Sequence, residues 1–400
     1  MRRLGPSERL QQVQQPVIPL VSQWTRETEG TLSLAQGVVS YAPPQCLQDV
    51  LAKAHPNDQD ICRYGPAEGA DHLRQQIAEK LRSENQIDLD QASIVCTAGS
   101  NMAFFAAVFC VASVGDQVIL VRPYYFNHQM AIEIAGCECR FADCLPNHQL
   151  DVSAIEQAIT PRTRAIVTIS PNNPTGAVYC KSDLIEVNQL CERHGIVHIH
   201  DEAYEYFTFG QKEHFSPASI PGAAAHTISL FSLSKAYAMA GWRFGYAVVP
   251  QQLELAIKKV QDTNLISVPG ITQRAAMAAL LEGRSWCRKR IAGIEESRQL
   301  ALAFSAEASG SWRFSKPDGG FYLLATLDQD LDDVQVCRGM IEQHKIAVLP
   351  GSTFGIHDRC TLRISFGGIA GNDLEAALQR LKCGLEWAEA NSDKLARDAT

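Results

Sequence analysis

Seven short apolar runs, separated by segments with helical spacing, constrain the fold of this chain more than any other feature. The runs are Ile94–Thr97, Val118–Val121, Cys139–Phe141, Ala165–Ser170, Ile196–His200, Thr227–Ser232 and Phe244–Val249. They are too short for helices and too apolar for strands with one face in water, which is typical of a largely parallel sheet covered on both faces. Between them, Leu73, Ile77 and Leu81 recur at helical spacing. The alternation predicts an α/β fold, a large doubly wound domain with a mostly parallel seven-stranded sheet over residues 46–290.

The C-terminal part of the chain lacks this regular alternation. Residues Arg288 to Ala308 predict one long helix, and Ser315–Gly320 is a strong turn signal. Further apolar runs follow at Ile346–Leu349 and Thr361–Phe366. We expect residues 291–400 to form a smaller α+β domain, to which the N-terminal arm, residues 1–45, also contributes.

The charge balance makes nucleic acid and membranes poor candidates as partners. The chain has 44 acidic and 36 basic residues among 400, a net charge of −8, and offers no basic surface for either polyanion. Its longest apolar stretch, Met102–Ala112, is shorter than the ~20 residues that cross a bilayer. A small-molecule ligand is favoured.

The N-terminus and the cysteines indicate a cytoplasmic protein in a reducing compartment. Met1-Arg2-Arg3 is basic, but no apolar core of a secretory signal follows it. The 13 cysteines are odd in number, scattered, and form no Cys-x-x-Cys motif. Free thiols are therefore expected rather than disulfides or a zinc site, and no metal is predicted.

Four of the apolar runs are followed directly by polar residues. In open α/β sheets, ligands bind beyond the carboxyl ends of the strands, so these residues are the first candidates for a site. They supply an anion-binding turn, an amide, a carboxylate, a phenol and an amine to one rim of the sheet. The segments are Ala98–Asn101, Pro171–Gly176, Asp201–Tyr204 and Leu233–Lys235.

The residue types on this rim suit one kind of cofactor. The turn before Ser100 and Asn101 leads into a helix whose N-terminus would favour a phosphate. Lys235 stands in an apolar, poorly charged context, where an amine can form a Schiff base. Asp201 could pair with a pyridinium nitrogen, which keeps such a ring an electron sink. Together they predict pyridoxal 5′-phosphate.

The sequence resembles the fold-type I pyridoxal-phosphate enzymes of the class I/II aminotransferase family. Six motifs occur in the order found in that family. They are Tyr64–Gly69 with Leu73-Arg74, Thr97–Ser100, Asn173–Gly176, Asp201–Tyr204, Ser232–Lys235 continuing to Gly241–Gly245, and Leu362–Phe366.

The resemblance implies a role for each residue at the cofactor. Lys235 would hold the cofactor covalently and, once released by substrate, carry a proton between Cα and C4′. Asp201 would pair with the pyridinium nitrogen, while Asn173 and Tyr204 would hydrogen-bond the phenolic oxygen. The remaining cofactor contacts would come from Ser100, Asn101, Ser232, Ser234 and Arg243 at the phosphate, from Tyr125 stacked on the ring, and from Tyr64 of a second subunit.

The resemblance also implies how substrate binds and reacts. Arg363 would hold the α-carboxylate in a bidentate fork, helped by the backbone near Gly37, and Val38 and Asn173 would also contact the substrate. The implied protein is a homodimer with shared active sites, transferring an amino group from an L-amino acid to a 2-oxo acid in a ping-pong cycle.

Two departures from the family pattern concern the substrate. Tyr125 stands where aspartate-specific members tend to have tryptophan, and Gln36–Pro44 lacks the acidic Glu-Pro-Asp pattern of many relatives. Val38, Val39 and Tyr41 favour an apolar or aromatic amino donor. An aspartate-type aminotransferase stays open, because a second arginine could come from an unplaced loop. A carbon–sulfur β-lyase on the same fold also stays open.

Rival interpretations have less support in the sequence. Ser232-x-x-Lys235 matches an acyl-enzyme motif, but its companions Ser-Asp-Asn and Lys-Thr-Gly are absent. His198 and His200 would share one face of a strand, where buried structural histidines are common. A transcription regulator with this body would need a DNA-binding domain, for which the short segment before the resemblance leaves no room.

Overall fold

Strands and helices alternate along the chain in a computed structural model that describes residues 5–55, 57–308 and 310–397. The basic start, Met1-Arg2-Arg3, lies outside the described residues. In the described part, the strands are β1 (Leu32–Ser33), β2 (Ala92–Thr97), β3 (Gln117–Arg122), β4 (Glu138–Asp143), β5 (Thr163–Ile169), β6 (Val197–Asp201), β7 (Thr227–Ser232), β8 (Gly245–Pro250), β9 (Arg313–Phe314), β10 (Tyr322–Leu327), β11 (Ile346–Ala347), β12 (Leu349–Pro350) and β13 (Cys360–Ser365).

The α-helices in the same described part complete the alternation. They are α1 (Glu8–Gln12), α2 (Val17–Glu27), α3 (Cys46–Lys53), α4 (Gln59–Cys62), α5 (Asp71–Lys80), α6 (Ser100–Val111), α7 (Phe126–Ile134), α8 (Val152–Ala158), α9 (Lys181–His194), α10 (Glu254–Leu265), α11 (Gly270–Glu307), α12 (Asp333–His344), α13 (Gly371–Ala390) and α14 (Ser392–Leu395). A π-helical turn, Leu81–Asn85, extends α5.

The predicted seven-stranded, mostly parallel sheet is confirmed. Its strand order is β2-β8-β7-β6-β5-β3-β4, and each of the seven apolar runs contributes one strand. Only β8 runs against its neighbours β2 and β7, whereas the other four pairings are parallel. The carboxyl ends of β5, β6 and β7 therefore meet at one edge of the sheet.

Burial of both sheet faces explains why the interior strands are continuously apolar, whereas the edge strand β4 is largely exposed. In β3, Val118 and Leu120 pack into a core with α6 and α7, while Ile119 and Val121 pack into another with α8 and α9. Alternate residues of a strand point to opposite faces, so each face needs its own apolar set. All four of these side chains are buried.

A second, four-stranded antiparallel sheet lies in the C-terminal part, in the order β12-β13-β10-β9. Near it, β1 of the N-terminal arm pairs in parallel with β11, with Leu32 opposite Ile346. This pairing ties the arm to the C-terminal part of the chain.

The predicted start of the helix over Arg288 to Ala308 is wrong. Helix α11 begins at Gly270 and is interrupted at Gly283, whose φ of +70° and ψ of −173° are not helical. Glycine adopts such a conformation readily because it lacks a Cβ. The predicted helix is the portion after this break.

No helix of the described residues is both long and apolar enough to cross a membrane.

Asp333, at the start of α12, gives the fold a specific pH dependence. Its carboxyl is buried and accepts hydrogen bonds from the backbone N–H and the hydroxyl of Ser352, both at 2.7 Å. Burial raises its pKa to about 6, against the smaller lowering effect of the Ser352 hydrogen bonds. A pKa above that of the unfolded chain means that the group stabilises the fold at low pH and loses this contribution as the pH rises through 6.

We therefore expect the unsubstituted protein to lose stability as the pH rises from 4.5 to 7.5, and Asp333→Asn not to share this loss. The measurement is the melting temperature of both proteins at each pH. The melting temperature of the variant minus that of the unsubstituted protein should be a few degrees higher at pH 7.5 than at pH 4.5. The exposed Asp49→Asn serves as the control. A difference for Asp333→Asn that stays constant with pH would contradict the raised pKa.

Candidate active site

A cavity of about 270 Å³ opens at the carboxyl edge of β5, β6 and β7. Every residue predicted for the site lines it, apart from Tyr64. These residues are Gly37, Val38, Ser100, Asn101, Tyr125, Asn173, Asp201, Tyr204, Ser232, Ser234, Lys235, Arg243 and Arg363. The structure thus brings together residues that lie up to 326 positions apart in the sequence, from Gly37 to Arg363.

Lys235 follows β7 and presents its amine to the cavity. Its Nζ donates a hydrogen bond to the carbonyl of Gly37 at 2.7 Å. Desolvation, followed by the charges of Arg363 and Arg243, lowers the pKa of Lys235 to about 8, although Asp201 acts in the opposite direction. A larger share of this amine is neutral near pH 7 than of an ordinary lysine, and only the neutral amine is a nucleophile or a base.

Asp201, the last residue of β6, is buried and held at both carboxylate oxygens. Oδ1 accepts from the backbone N–H of Ala203 at 3.0 Å, and Oδ2 lies 3.2 Å from Nε2 of His128. His128 comes from the middle of α7 and stacks on Phe104, with ring centroids 3.8 Å apart. This carboxylate is fixed in one orientation toward the cavity.

Sequence reasoning missed His128 because it does not follow a strand. Its only sequence signal is a polar ring on a helix that otherwise contributes apolar side chains to the core. That signal alone does not separate a ligand-facing histidine from a buried structural one.

Asn173 and Tyr204 face the cavity side by side. The Asn173 amide donates toward the Tyr204 hydroxyl at 3.4 Å, and the hydroxyl of Tyr322 lies 2.7 Å from that of Tyr204. Tyr322, on β10, lines the cavity and was also missed. The turn signal at Ser315–Gly320 marks where β10 approaches, but not which side chain enters the site.

Arg363, on β13, is buried and only partly paired. Nη1 donates to Oδ1 of Asn173 at 3.1 Å, and Nη2 donates to the carbonyl of Ala35. Its Nε has no hydrogen-bond partner among the described residues. The guanidinium lies 4.5 Å from the ring centroid of Tyr322 and 5.1 Å from that of Phe354. A buried guanidinium with an unused N–H is suited to a carboxylate ligand.

The turn between β2 and α6 is shaped as an anion cradle. Gly99 has φ +81° and ψ 166°, and a Cβ there would lie 2.5 Å from Nη2 of Arg243. Arg243 donates to the carbonyls of Ala98 at 3.1 Å and Ala240 at 2.9 Å. Its guanidinium is thereby held beside the N-terminus of α6, where backbone N–H groups favour a phosphate.

The residues present fit pyridoxal phosphate. Three cations, Lys235, Arg243 and Arg363, face one carboxylate, Asp201, in the cavity, so that an anionic ligand is favoured. The glycine cradle suits its phosphate, the fixed carboxylate suits its ring nitrogen, and the amine suits its aldehyde.

The structure places two further predicted residues, Tyr125 and Tyr64, in different surroundings. Tyr125 lines the cavity, and its hydroxyl accepts from the Asn127 amide at 2.8 Å. Tyr64 is 82% exposed and borders a separate groove that also includes Arg63 and Arg274. Its contribution to the site of a second subunit stays a prediction.

His198 and His200 do not line the cavity. Both contact the Thr168 hydroxyl, at 2.7 and 2.6 Å, and both are fully buried. Burial lowers the pKa of His198 to about 3, so this ring is neutral near pH 7. No group of three or more metal-ligating side chains occurs in the described part of the chain.

Comparisons with known proteins agree with this geometry. The family model "Aminotransferase class I and II" matches residues 29–381. An aromatic aminotransferase from Arabidopsis thaliana is 33% identical and covers 93% of this chain and 94% of its own. An aspartate aminotransferase from Pyrococcus abyssi is 31% identical over 88% of this chain and 90% of its own. The crystal structure of an aromatic aminotransferase from Pyrococcus horikoshii matches with a TM-score of 0.84 and 30% identity, over 92% of this chain and 99% of its own.

We expect Gly99→Ala to weaken binding of pyridoxal phosphate about tenfold or more. The backbone conformation of Gly99 is almost exclusive to glycine, costing on the order of 1–3 kcal/mol for other residues, and the new methyl group would displace Arg243. Titration of the cofactor-free protein with cofactor, followed by absorbance, measures the dissociation constant.

Gly241→Ala is the matched control, because a Cβ at Gly241 meets nothing within 4 Å. Equal affinities of the Gly99→Ala protein and the control would show that the phosphate binds elsewhere.

Proposed function

We propose, from the premise that this chain belongs to the class I and II aminotransferase family, that its preferred amino donor is an apolar or aromatic L-amino acid. The protein is a pyridoxal-phosphate-dependent aminotransferase, whose substrates are amino acids and 2-oxo acids. The observation that carries the proposal is the set of side chains around the cavity, in which every cation already has a use.

The count of cations supports a donor with one carboxylate. Arg243 stands at the phosphate cradle, Arg363 is free to hold the α-carboxylate, and Lys235 is the reacting amine. No fourth cation lines the cavity in the described part of the chain, whereas Ile18, Val38 and Tyr125 do. A second carboxylate on the substrate would have no cationic partner from this chain.

The names of the relatives agree with two donor classes. Aromatic aminotransferases from Arabidopsis thaliana and Thermococcus litoralis are 33% and 30% identical. The aspartate aminotransferase from Pyrococcus abyssi, at 31%, keeps an aspartate-type activity as the second candidate.

Lys235 performs the proton transfers in the proposed mechanism. Pyridoxal phosphate, when bound, supplies the electron-withdrawing ring that stabilises negative charge at the substrate Cα. The Lys235 Nζ, whose pKa in the ligand-free protein is lowered to about 8, would take the proton from Cα and deliver it to C4′. Desolvation, with the nearby charges of Arg363 and Arg243, keeps a share of this amine neutral and able to accept that proton.

The other residues orient the reactants. Asp201, held by His128 and the Ala203 N–H, would pair with the ring nitrogen and keep it protonated. Asn173 and Tyr204 would donate to the ring oxygen. Arg363 holds the α-carboxylate with its fork, next to the Gly37 carbonyl to which Lys235 now donates.

A homodimer with shared sites is part of the proposal. Tyr64 is 82% exposed, and the large apolar side chains of Leu51, Leu255 and Leu281 are each more than half exposed. Contact with a second copy would cover such apolar side chains and let Tyr64 reach the partner's phosphate cradle. The free buried thiols, such as Cys96 and Cys191, fit the proposed cytoplasmic location.

We also propose that the chain divides at residues 45 and 290. The pairing of β1 with β11 supports grouping residues 1–45 with residues 291–400. The seven-stranded sheet lies entirely within residues 46–290.

A half-reaction screen tests the proposed donor. Mixed with the cofactor-loaded protein, phenylalanine, tyrosine, tryptophan or leucine should remove the visible absorbance band faster, at equal low concentration, than aspartate or glutamate. The apolar wall stabilises their side chains by about 25 cal/mol per Å² buried, whereas a distal carboxylate is desolvated without a partner.

The Arg363→Lys variant is the matched test of the carboxylate clamp. It should need at least about tenfold more donor for the half-maximal rate, because lysine lacks the bidentate fork. Fastest reaction with aspartate would favour the aspartate-type enzyme. Release of ammonia and pyruvate from cysteine conjugates would favour the carbon–sulfur β-lyase.

A further inference from the structure

Tyr322 occupies the active-site cavity without a role in the mechanism above. It is the first residue of β10, pairs with Ser365 of β13, and is 1% exposed. Its hydroxyl lies 2.7 Å from that of Tyr204, the residue that faces the cofactor's ring oxygen in the proposed function. It is therefore one contact away from the cofactor.

The Tyr322 side chain is held on several sides. The Arg363 guanidinium lies 4.5 Å from its ring centroid, and the ring of Phe321 packs at 4.7 Å. Its hydroxyl lies so close to Gly37 that a Cβ on that residue would overlap it. Such a side chain cannot swing away, so its hydroxyl stays at the Tyr204 oxygen.

The two phenol hydroxyls lie at hydrogen-bond distance, and either of them could be the donor. Burial raises the pKa of Tyr322 to about 12 and that of Tyr204 well above its ordinary value, so both hydroxyls stay protonated near pH 7. Of their two protons, one lies between the oxygens and the other can donate elsewhere. Both side chains line the cavity, but in the proposed function Tyr204 gives its single proton to the ring oxygen, so the proton between the two phenols would come from Tyr322.

We propose that Tyr322 is a positioning residue that acts through Tyr204: its hydroxyl donates to the Tyr204 oxygen and so strengthens the hydrogen bond that Tyr204 gives to the ring oxygen of the bound cofactor. Hydrogen bonds in a chain polarise one another, and a phenol that accepts a bond becomes a better donor. The inference rests on the proposed function, since it assumes that Tyr204 contacts the ring oxygen.

The effect is measurable as the pH dependence of the visible absorbance of the resting, cofactor-loaded protein. When the nitrogen that links Lys235 to the cofactor loses its proton, the negative ring oxygen depends more strongly on its remaining donors. A weaker Tyr204 donor disfavours that state and raises the pKa of the absorbance change. Tyr322→Phe keeps the ring contacts with Arg363 and Phe321 and removes only the hydroxyl.

The experiment titrates five proteins: the unsubstituted protein, Tyr322→Phe, Tyr204→Phe, the double variant, and Tyr124→Phe. Tyr124 is the matched control, because its buried ring carries a hydroxyl that donates to Gln129 at 2.6 Å outside the cavity. Tyr322→Phe should raise the pKa by about half a pH unit, a fraction of one charge-assisted hydrogen bond. Tyr204→Phe should raise it further, and the control should leave it unchanged.

The double variant distinguishes a coupled role from a structural one. If Tyr322 acts through Tyr204, the double variant has the pKa of Tyr204→Phe alone. Additive shifts, or no shift in Tyr322→Phe while Tyr204→Phe does shift, would overturn the coupling and leave the proposed function intact. No shift in Tyr204→Phe would instead overturn the assignment of Tyr204 at the ring oxygen, and with it this inference.

Discussion

The site depends on the electrostatic interaction among three cationic side chains and one carboxylate within a small cavity. Lys235, Arg243 and Arg363 repel one another there, and Asp201 balances only part of their charge. Such a cavity is stabilised by anions, and a phosphate and a carboxylate together supply the missing negative charge. Desolvation, together with the same repulsion, lowers the pKa of Lys235 to about 8, which gives the amine its reactivity.

The fold holds these charges at fixed positions. Parallel strands place Asn173, Asp201 and Lys235 after neighbouring strand ends, and the antiparallel β13 brings Arg363 to the same cavity from the C-terminal part. The N-terminal arm closes the arrangement, because Ala35 accepts from Arg363 and Gly37 accepts from Lys235. Three distant parts of the sequence thus share one site, and the pairing of β1 with β11 fixes two of them to each other.

Much of this arrangement could be predicted from the sequence, because strands buried on both faces leave continuous apolar runs and because polar residues follow them. All seven runs are strands of one sheet, and Asp201 and Lys235 are found at the predicted edge. His128 and Tyr322 could not be predicted in this way. His128 contacts Asp201 from a helix and Tyr322 lines the cavity from the second sheet, and such tertiary packing leaves no local periodicity in the sequence. The start of α11 at Gly270 was missed because the nonhelical Gly283 separates that first portion from the predicted helix.

The central claim is that the Lys235 amine is the covalent attachment point of the cofactor. Borohydride reduction of the loaded protein, followed by proteolysis and mass spectrometry, tests this claim most directly. The account predicts loss of the visible band and one modified peptide, carrying the reduced cofactor on Lys235. The buried, ion-paired Lys80 should stay unmodified in the same digest. A modification at another lysine, or a visible band that persists after reduction, would contradict the account.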